Sequence, residues 1–205
     1  MPPASPSADD MLILALAWAA WCAVHSLLLE RRLRAGLERL LRLSPPKYRL
    51  AYSVFSLASI FPVLKYSIYL GAIFPVWWPG FWVGLQALVW AAALGLLMWA
   101  SYDFSNGGFD LVGMKAAFDP KPEVHRLITN GAYAHMRHPM HVAAFLVVWF
   151  RGLHGWPDVV ISLILTAYIA LGTWHEEVRL RHQFGDEYRA YARRVGLVPL
   201  FKSRG

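Results

Sequence analysis

Five apolar segments alternate with polar segments along the chain. They cover residues 11–29, 50–72, 81–101, 140–151 and 158–175. Because a transmembrane helix needs about 20 predominantly apolar residues, this pattern predicts an all-α integral membrane protein with about five transmembrane helices. The fourth segment is short, and only GLHGWPD separates it from the fifth. These two segments are therefore predicted to form a tight helical hairpin.

The pattern also divides the chain into three parts. Residues 1–10 form an N-terminal tail, residues 11–101 carry transmembrane helices 1–3, and residues 102–205 combine a polar loop, the hairpin and a polar C-terminal tail. The N-terminal tail lacks the basic residues of a signal peptide, so the first apolar segment is expected to remain as a transmembrane helix. The third part holds most of the polar clusters that suggest chemistry.

Composition supports the membrane class. The chain of 205 residues is 57% hydrophobic and 16% charged, whereas a soluble domain carries about 25% charged residues. Its net charge of +7 is typical of basic loops beside anionic lipid, and this interpretation is favoured over nucleic-acid binding. The one cysteine, Cys22, lies inside the first apolar segment, which excludes a disulfide framework.

Lysine and arginine alternate in density between successive polar segments. The first loop, ERRLRAGLERLLRLSPPKYR, is basic, the second, GAIFPVWWPG, has no basic residue, the third is basic, the fourth has only Arg151, and the tail is basic again. By the positive-inside rule, this order predicts an N-terminus outside and a C-terminus in the cytoplasm, in what we expect to be a bacterial inner membrane. The third loop and the tail would then face one compartment, where a soluble cofactor is available.

The polar stretch GAYAHMRHPMH stands directly before the fourth apolar segment. Asn130-Gly131 is a turn signal, and Pro139 favours the first turn of a helix, which places Arg137 and His138 at the start of that helix. Free backbone N–H groups at a helix start, together with an arginine, favour binding of a carboxylate or phosphate. Interfacial anchoring is the alternative for Arg137 alone, but anchoring does not require three histidines.

Two further polar clusters follow the fifth apolar segment. His175, Glu176 and Glu177 come directly after it, where adjacent carboxylates at a membrane boundary need a cation or a donor. One interpretation is a solvated charge cluster with nearby arginines, and the other is a glutamate that holds the amino group or ribose of a cofactor. The stretch FGDEYRAY predicts a short amphipathic cytoplasmic helix, which either rests on the bilayer or contributes Tyr188 to a site.

Three histidines recur at three-residue spacing, namely His135, His138 and His141. A helix would bring such residues to one face, as some metal sites require. His135 precedes the helix that Pro139 starts, however, and no cysteine or carboxylate is adjacent in the sequence. No metal ion is therefore predicted, and the sequence shows no phosphate-binding glycine loop, nucleophile elbow or nucleic-acid module.

Two stretches, HRLITNGAYAHMRHPMH and EEVRLRHQFGDEYRAY, resemble in spacing and order the motifs of the membrane methyltransferase superfamily typified by isoprenylcysteine carboxyl methyltransferase. The resemblance covers residues 125–199 and implies an S-adenosylmethionine cofactor held between the transmembrane helices and the cytoplasmic tail. The residues that would line the cofactor site are His125, Leu127, Ile128, Tyr133, Arg137, His138, Pro139, Met140, His141, Glu176, Glu177 and Tyr188. The candidate catalytic residues among them are Arg137, His138, His141, Glu176 and Glu177.

The sequence departs from the superfamily motif at two places. His141 stands where the motif has a tyrosine. Gly172 and Thr173 stand where the prenylcysteine enzymes carry an arginine that pairs with the substrate carboxylate, and a buried carboxylate without a partner would be costly. The stretches WCAVHSLL, KYRLAYSVFSL, FDLVGMKAA and TAYIALGTWHEEVRL resemble instead the branch of methanethiol S-methyltransferases and NnrU-type membrane proteins.

The activity implied by the resemblance is S-adenosylmethionine-dependent methyl transfer to a small or lipophilic nucleophile, in particular a thiol. A thiol must lose its proton to attack well, and His138 or His141 is the candidate base. Two alternatives stay open: carboxyl or amine methylation of a prenyl or lipid substrate, and a non-catalytic NnrU-type membrane protein. The expected partners are the lipid bilayer and the substrate, without nucleic acid. The sequence leaves the oligomeric state open.

Overall fold

The computed structural model describes residues 6–72, 77–104, 126–153 and 155–198. Within these ranges the regular structure is helical, without strands. In chain order the elements are α1 (Ala8–Leu29), α2 (Arg31–Leu40), α3 (Pro45–Tyr69), α4 (Phe81–Phe104), a 3-10 turn (Gly131–Ala134), α5 (Pro139–Phe150) and α6 (Trp156–Arg194). The predicted all-α membrane class is confirmed.

Four of these helices, α1, α3, α4 and α6, are long and apolar enough to cross a membrane. Many of their apolar side chains are exposed, as lipid-facing side chains are; Phe61, for example, is 69% exposed. The fifth apolar helix, α5, has 12 residues. A helix of that size is about 18 Å long, well short of a hydrocarbon core of about 30 Å. The count of five transmembrane helices and the orientation of the termini stay predictions.

One compact unit contains α1, α2, α3 and the first residues of α6, up to Ile164. α1 begins with a capping box, in which the Ser7 hydroxyl accepts from the backbone N–H of Asp10 and the Asp10 carboxylate accepts from Ser7. Trp18 Nε1 donates to Ser67 Oγ at 3.0 Å. This polar contact joins α1 to α3 and satisfies both groups inside an otherwise apolar pair of helices.

α2 lies where the sequence predicts only a basic loop. The Glu30 carboxylate accepts hydrogen bonds from the backbone N–H groups of Arg32 and Leu33 at 2.7 and 3.0 Å, so it caps the start of the helix. Leu33, Leu37 and Leu40 recur at helical spacing, and no residue of α2 is buried. Such a basic amphipathic helix is typical of helices that lie along an anionic lipid surface.

The second compact unit contains α4, the 3-10 turn, α5 and the part of α6 from residue 165. α4 packs against α5 and against the turn. Gln86 is fully buried in α4, where its Oε1 accepts from the backbone N–H of Trp78 at 2.8 Å and its Nε2 donates to the Phe150 carbonyl at 2.9 Å. Trp90 Nε1 donates to the same carbonyl at 2.8 Å. Two side chains of α4 thereby satisfy one of the carbonyls that the C-terminal end of α5 leaves without an intrahelical partner.

Three side-chain contacts join α5 to α6 in antiparallel order. They connect Trp149 Nε1 to Thr166 Oγ1 at 2.9 Å, His141 Nδ1 to Thr173 Oγ1 at 3.0 Å, and His138 Nε2 to Glu177 Oε1 at 2.8 Å. Residues nearer the start of α5 contact residues nearer the end of α6, as in an antiparallel pair of helices. The predicted helical hairpin is therefore confirmed.

α6 changes direction at Gly185, whose φ of 52° and ψ of −122° are not helical. Such backbone angles are readily adopted only by glycine. The chain then resumes as a helix that ends at Arg194. The short C-terminal helix predicted from FGDEYRAY is thus the last part of α6, and a single glycine separates it from the rest.

Candidate functional site

The 3-10 turn before α5 is fixed to the end of α4 by one carboxylate. The backbone N–H of Ala132 donates to Asp103 Oδ2 at 2.8 Å. Gly131 lies beside this contact with a φ of 57°, and a Cβ added there would lie 2.0 Å from the same oxygen. The turn predicted at Asn130-Gly131 therefore requires glycine for two reasons, the backbone conformation and the close approach of Asp103.

We expect Gly131→Ala to lower the free energy of unfolding by about 2 kcal/mol or more, because a left-handed backbone and a steric clash combine. The midpoint of denaturant unfolding in detergent micelles would measure this change. Gly172→Ala is the matched control, since a Cβ at Gly172 would meet no atom within 4 Å. Equal midpoints for the two variants would contradict the turn geometry.

Arg137 connects the start of α5 to the end of α6. Its backbone N–H donates to the Gly196 carbonyl at 3.0 Å, and its Nη1 donates to the Ala192 carbonyl at 3.2 Å. The side chain is 8% exposed, and its Nε lies 3.3 Å from Glu177 Oε1. Arg137 therefore places a cation at a helix C-terminus, where the backbone dipoles favour positive charge.

Glu177 is a buried carboxylate surrounded by donors. Its Oε1 accepts from the Tyr188 hydroxyl at 2.5 Å and lies 2.8 Å from His138 Nε2, while Arg181 donates to its Oε2 at 3.2 Å. The residue is 6% exposed, and Arg137 adds a further positive charge beside it. A buried carboxylate stays ionised only with partners of this kind. Glu177 is thus the centre of a network that holds α5 to both parts of α6.

His138 lies between two carboxylates. Its Nε2 is 2.8 Å from Glu177 Oε1, and its Nδ1 is 3.2 Å from Glu176 Oε2. Burial alone would lower the pKa of His138, but the hydrogen bonds and charges of the two glutamates outweigh burial and raise this pKa above its ordinary value. The position between two carboxylates favours the imidazolium form of His138, in which both ring nitrogens donate.

Three tyrosines complete the polar side of the site. Tyr188 and Tyr191 are 0% and 3% exposed, and their rings meet edge to face with centroids 5.8 Å apart. The Tyr191 hydroxyl donates to the Tyr133 carbonyl at 2.6 Å, which fixes the 3-10 turn to the end of α6. Burial, reinforced by the charge of Glu176, raises the pKa of the Tyr133 hydroxyl, so this group stays protonated.

These groups surround an open cleft with a cavity volume of about 110 Å³. The lining side chains are Phe104, Arg126, Leu127, Ile128, Tyr133, Arg137, His138, Pro139, Met140, His141, Glu176, Leu180, Phe184, Tyr188 and Tyr191. Glu176 is the carboxylate among them, and its side chain is 34% exposed. The cleft thus combines an aromatic and aliphatic wall with one accessible negative charge.

Comparison with known proteins gives a consistent set of relatives. The chain is 30% identical over 153 residues to a methanethiol S-methyltransferase of Pseudomonas deceptionensis, which covers 66% of this chain and 56% of the relative. It is 31% identical over 131 residues to a protein-S-isoprenylcysteine O-methyltransferase of Mus musculus, covering 56% of this chain and 43% of the relative. A methanethiol S-methyltransferase of Crocosphaera subtropica is 27% identical over 186 residues, and the match covers 85% of this chain and 68% of the relative.

The chain is similar in sequence to membrane methyltransferases of the superfamily typified by isoprenylcysteine carboxyl methyltransferase. Methanethiol S-methyltransferases and isoprenylcysteine O-methyltransferases both match the chain, and motifs of both groups are recognisable in its sequence. The chain spans about half the length of the first two relatives, with 56% and 43% of them covered. No family model and no solved structure matches it.

The structure brings together most of the residues that the superfamily motif implies for the cofactor site. The predicted residues that line the cleft are Leu127, Ile128, Tyr133, Arg137, His138, Pro139, Met140, His141, Glu176 and Tyr188. Glu177 does not line the cleft, but its carboxylate contacts His138 and Tyr188, which do. His125 lies outside the described residues. The roles of all these residues in binding and catalysis stay predictions.

Five lining residues were not predicted from the superfamily motif, and only some of them have a signal in the sequence. Leu180 and Phe184 follow Glu176 by four and eight positions, so helical spacing alone places them on the same face of α6. Tyr191 follows Tyr188 by three positions and shares its face for the same reason. Phe104 and Arg126 also line the cleft, and no local pattern marks them.

The histidines are arranged differently from the spacing considered in the sequence. His138 and His141 stack with ring centroids 5.4 Å apart, whereas His135 lies against Trp99 instead. Donor atoms of His138, His141 and Glu176 all lie within 4.8 Å of one another, close enough to hold a metal ion. Glu176 Oε2 lies 3.2 Å from His138 Nδ1 and 3.9 Å from His141 Nδ1, and the absence of a metal ion from this cluster stays a prediction.

Proposed function

We propose that the protein is an S-adenosylmethionine-dependent methyltransferase whose acceptor is a small thiol. The observation that carries the proposal is the cleft at the start of α5, where Glu176 and two stacked histidines face an aromatic wall. Those residues occupy the motif positions of the superfamily. The relatives of the chain carry methyltransferase names, and methanethiol is the acceptor named for those of Pseudomonas deceptionensis and Crocosphaera subtropica, among others.

The residues of the cleft suit S-adenosylmethionine in three respects. The accessible Glu176 carboxylate matches the positive charges or the ribose hydroxyls of the cofactor. The rings of Tyr133 and Phe184 offer flat apolar surfaces for an adenine base. α5 begins with a proline and has no side-chain cap, so the N–H groups of its first turn are available to a carboxylate.

The chain's own residues must orient the reactants, exclude water and remove the thiol proton. S-adenosylmethionine would supply a methyl group on a positively charged sulfur, which is already activated for transfer. Of the two histidines considered as a base, His138 has both ring nitrogens within hydrogen-bond distance of glutamate oxygens, which favours the imidazolium form. An imidazolium has no free lone pair, so His141 is the base that the site favours.

The surroundings of Thr173 support a neutral acceptor. Thr173 and Gly172 stand where the prenylcysteine enzymes carry an arginine for the substrate carboxylate. Thr173 Oγ1 lies 3.0 Å from His141 Nδ1 and donates to the Ile169 carbonyl at 2.8 Å. This position therefore presents a hydroxyl and no positive charge, which suits a thiol better than a carboxylate acceptor.

Methyl transfer can be tested with purified protein in lipid nanodiscs and S-adenosylmethionine labelled in its methyl group. We expect saturable cofactor binding and transfer of label to methanethiol, with little transfer to a prenylated cysteine analogue, because Thr173 supplies no partner for that carboxylate. Transfer to the prenylated analogue alone would replace the proposed acceptor by a prenylcysteine carboxylate. Absence of saturable cofactor binding would overturn the methyltransferase proposal and favour a non-catalytic NnrU-type protein.

The proposed site also has a proposed location. The alternation of basic and uncharged loops supports an N-terminus outside and a C-terminal part of α6 in the cytoplasm. The cleft includes residues from the segment between α4 and α5 and residues from the end of α6, so it would open to cytosolic S-adenosylmethionine. We place the protein in a bacterial inner membrane, with the lipid bilayer as its second partner.

A further inference from the structure

Thr173 is the one hydroxyl that contacts His141 among the residues the structure describes. It lies on α6, and its Oγ1 is 3.0 Å from His141 Nδ1. The same oxygen is 2.8 Å from the carbonyl oxygen of Ile169, one turn earlier in the helix. The proton position in this pair decides which nitrogen of His141 is free.

A threonine hydroxyl has a single proton to donate and two lone pairs that accept. The Ile169 carbonyl can only accept, so the hydroxyl proton lies on the Thr173–Ile169 contact. Toward His141, Thr173 therefore presents a lone pair. A hydrogen bond at 3.0 Å then requires Nδ1 of His141 to carry the proton.

A second acceptor faces the same nitrogen. Glu176 Oε2 lies 3.9 Å from His141 Nδ1, so the carboxylate charge also favours a proton there. On the other side, the His138 imidazolium stacks on the ring of His141 with centroids 5.4 Å apart. Two stacked imidazolium ions repel each other, so His141 is held neutral. A neutral imidazole protonated at Nδ1 has its lone pair on Nε2.

We propose that Thr173 is a positioning residue that fixes the tautomer of His141 and makes Nε2 the proton acceptor for the thiol. This inference rests on the proposed function. The proton of the acceptor S–H goes to Nε2, and the sulfur keeps the electron pair as the thiolate that receives the methyl group. The hydroxyl thus has a role in thiol activation at the position where prenylcysteine enzymes carry an arginine for their substrate.

The tautomer can be measured without turnover. In protein labelled with 15N-histidine, the ring nitrogen signals of His141, assigned by their loss in His141→Gln, report which nitrogen carries the proton. We expect the Nδ1–H form in the native protein and in Thr173→Ser, and a large population of the Nε2–H form in Thr173→Val. Thr166→Val is the matched control. Thr166 lies on α6, as Thr173 does, but its hydroxyl accepts from Trp149 and does not contact His141. An Nε2–H form in the native protein would overturn the inference outright.

Kinetics supply the second measurement. With methanethiol, kcat of Thr173→Val should fall about 10- to 100-fold, within the usual range for loss of a positioned base, while the Kd for S-adenosylmethionine is unchanged. Thr173→Ser and Thr166→Val should retain kcat. With a thiol acidic enough to be ionised at the assay pH, the defect of Thr173→Val should disappear, because no base is needed.

The outcomes separate this inference from the function on which it rests. A defect of equal size with the acidic thiol, or an unchanged tautomer in Thr173→Val, would show that Thr173 acts only in packing. If the native protein transferred no methyl group to any thiol, the proposed acceptor would be wrong. The nitrogen signals would then still decide whether Thr173 sets the tautomer of His141.

Discussion

Glu177→Gln should lower the free energy of unfolding by about 3 kcal/mol or more, because it removes one charge from a buried ionic network. Glu177 is 6% exposed and faces His138, Tyr188 and Arg137. Glutamine has nearly the same shape, so the change isolates charge from packing. Without the carboxylate, the Arg137 guanidinium and the His138 imidazolium lose the anion they share. Denaturant unfolding in detergent micelles, followed by circular dichroism, would measure the loss.

Asp186→Asn is the matched control for this variant. Asp186 also pairs with an arginine, with its carboxylate 2.7 Å from Arg189, but its side chain is 94% exposed. An exposed pair of this kind contributes little to stability, so the unfolding midpoint of Asp186→Asn should stay at the native value. If Glu177→Gln unfolded at the same midpoint as the control, Glu177 would not be the centre of the network.

Glu176→Gln should have the opposite profile, with weaker cofactor binding and little change in stability. Its carboxylate is the accessible one in the cleft, and its side chain is 34% exposed. A hydrogen bond to a charged group contributes about 1.5–3 kcal/mol, which corresponds to roughly 10- to 100-fold in Kd. Isothermal titration with S-adenosylmethionine and with its demethylated product would measure the change for both ligands.

The two ligands distinguish where Glu176 acts. The product lacks the positive sulfur and keeps the ribose and the amino group, so an equal loss for both assigns Glu176 to the shared groups. A loss confined to S-adenosylmethionine assigns it to the sulfonium charge. Glu187→Gln is the control, because Glu187 is exposed and does not line the cleft. Unchanged affinity for both ligands in Glu176→Gln would remove Glu176 from the site.

Most of the fold follows from patterns that are local in the sequence. Long apolar segments, the short connection between the last two of them, and the turn at Asn130-Gly131 each identify an element. These signals suffice because helix length, loop length and positive φ depend on near neighbours. α2 is the exception. Its many arginines suggest a basic loop, so the N-cap at Glu30 and the helical spacing of the leucines are easily overlooked in the sequence.

The partners within the site depend on contacts between distant residues, which the sequence does not show. Glu176 and Glu177 are adjacent and chemically identical, yet one is accessible and the other buried. The difference arises because neighbouring helical positions point about 100° apart, and the packing of α5 decides which of them faces the cleft. Arg137 suggests an anion site in the sequence, whereas the structure shows it also bound to carbonyls near the end of α6.

The break at Gly185 determines where the last part of α6 lies, and this part contributes Tyr188 and Tyr191 to the cleft. In an unbroken helix, Glu177 and Tyr188 would lie about 16 Å apart along the axis, since each residue adds about 1.5 Å. The left-handed backbone at Gly185 reverses the chain and brings the two into hydrogen-bond contact. No atom lies within 4 Å of where a Cβ would be, so the surroundings would admit a larger residue. The requirement for glycine is therefore conformational, and a survey of packing alone would rate this position as freely variable.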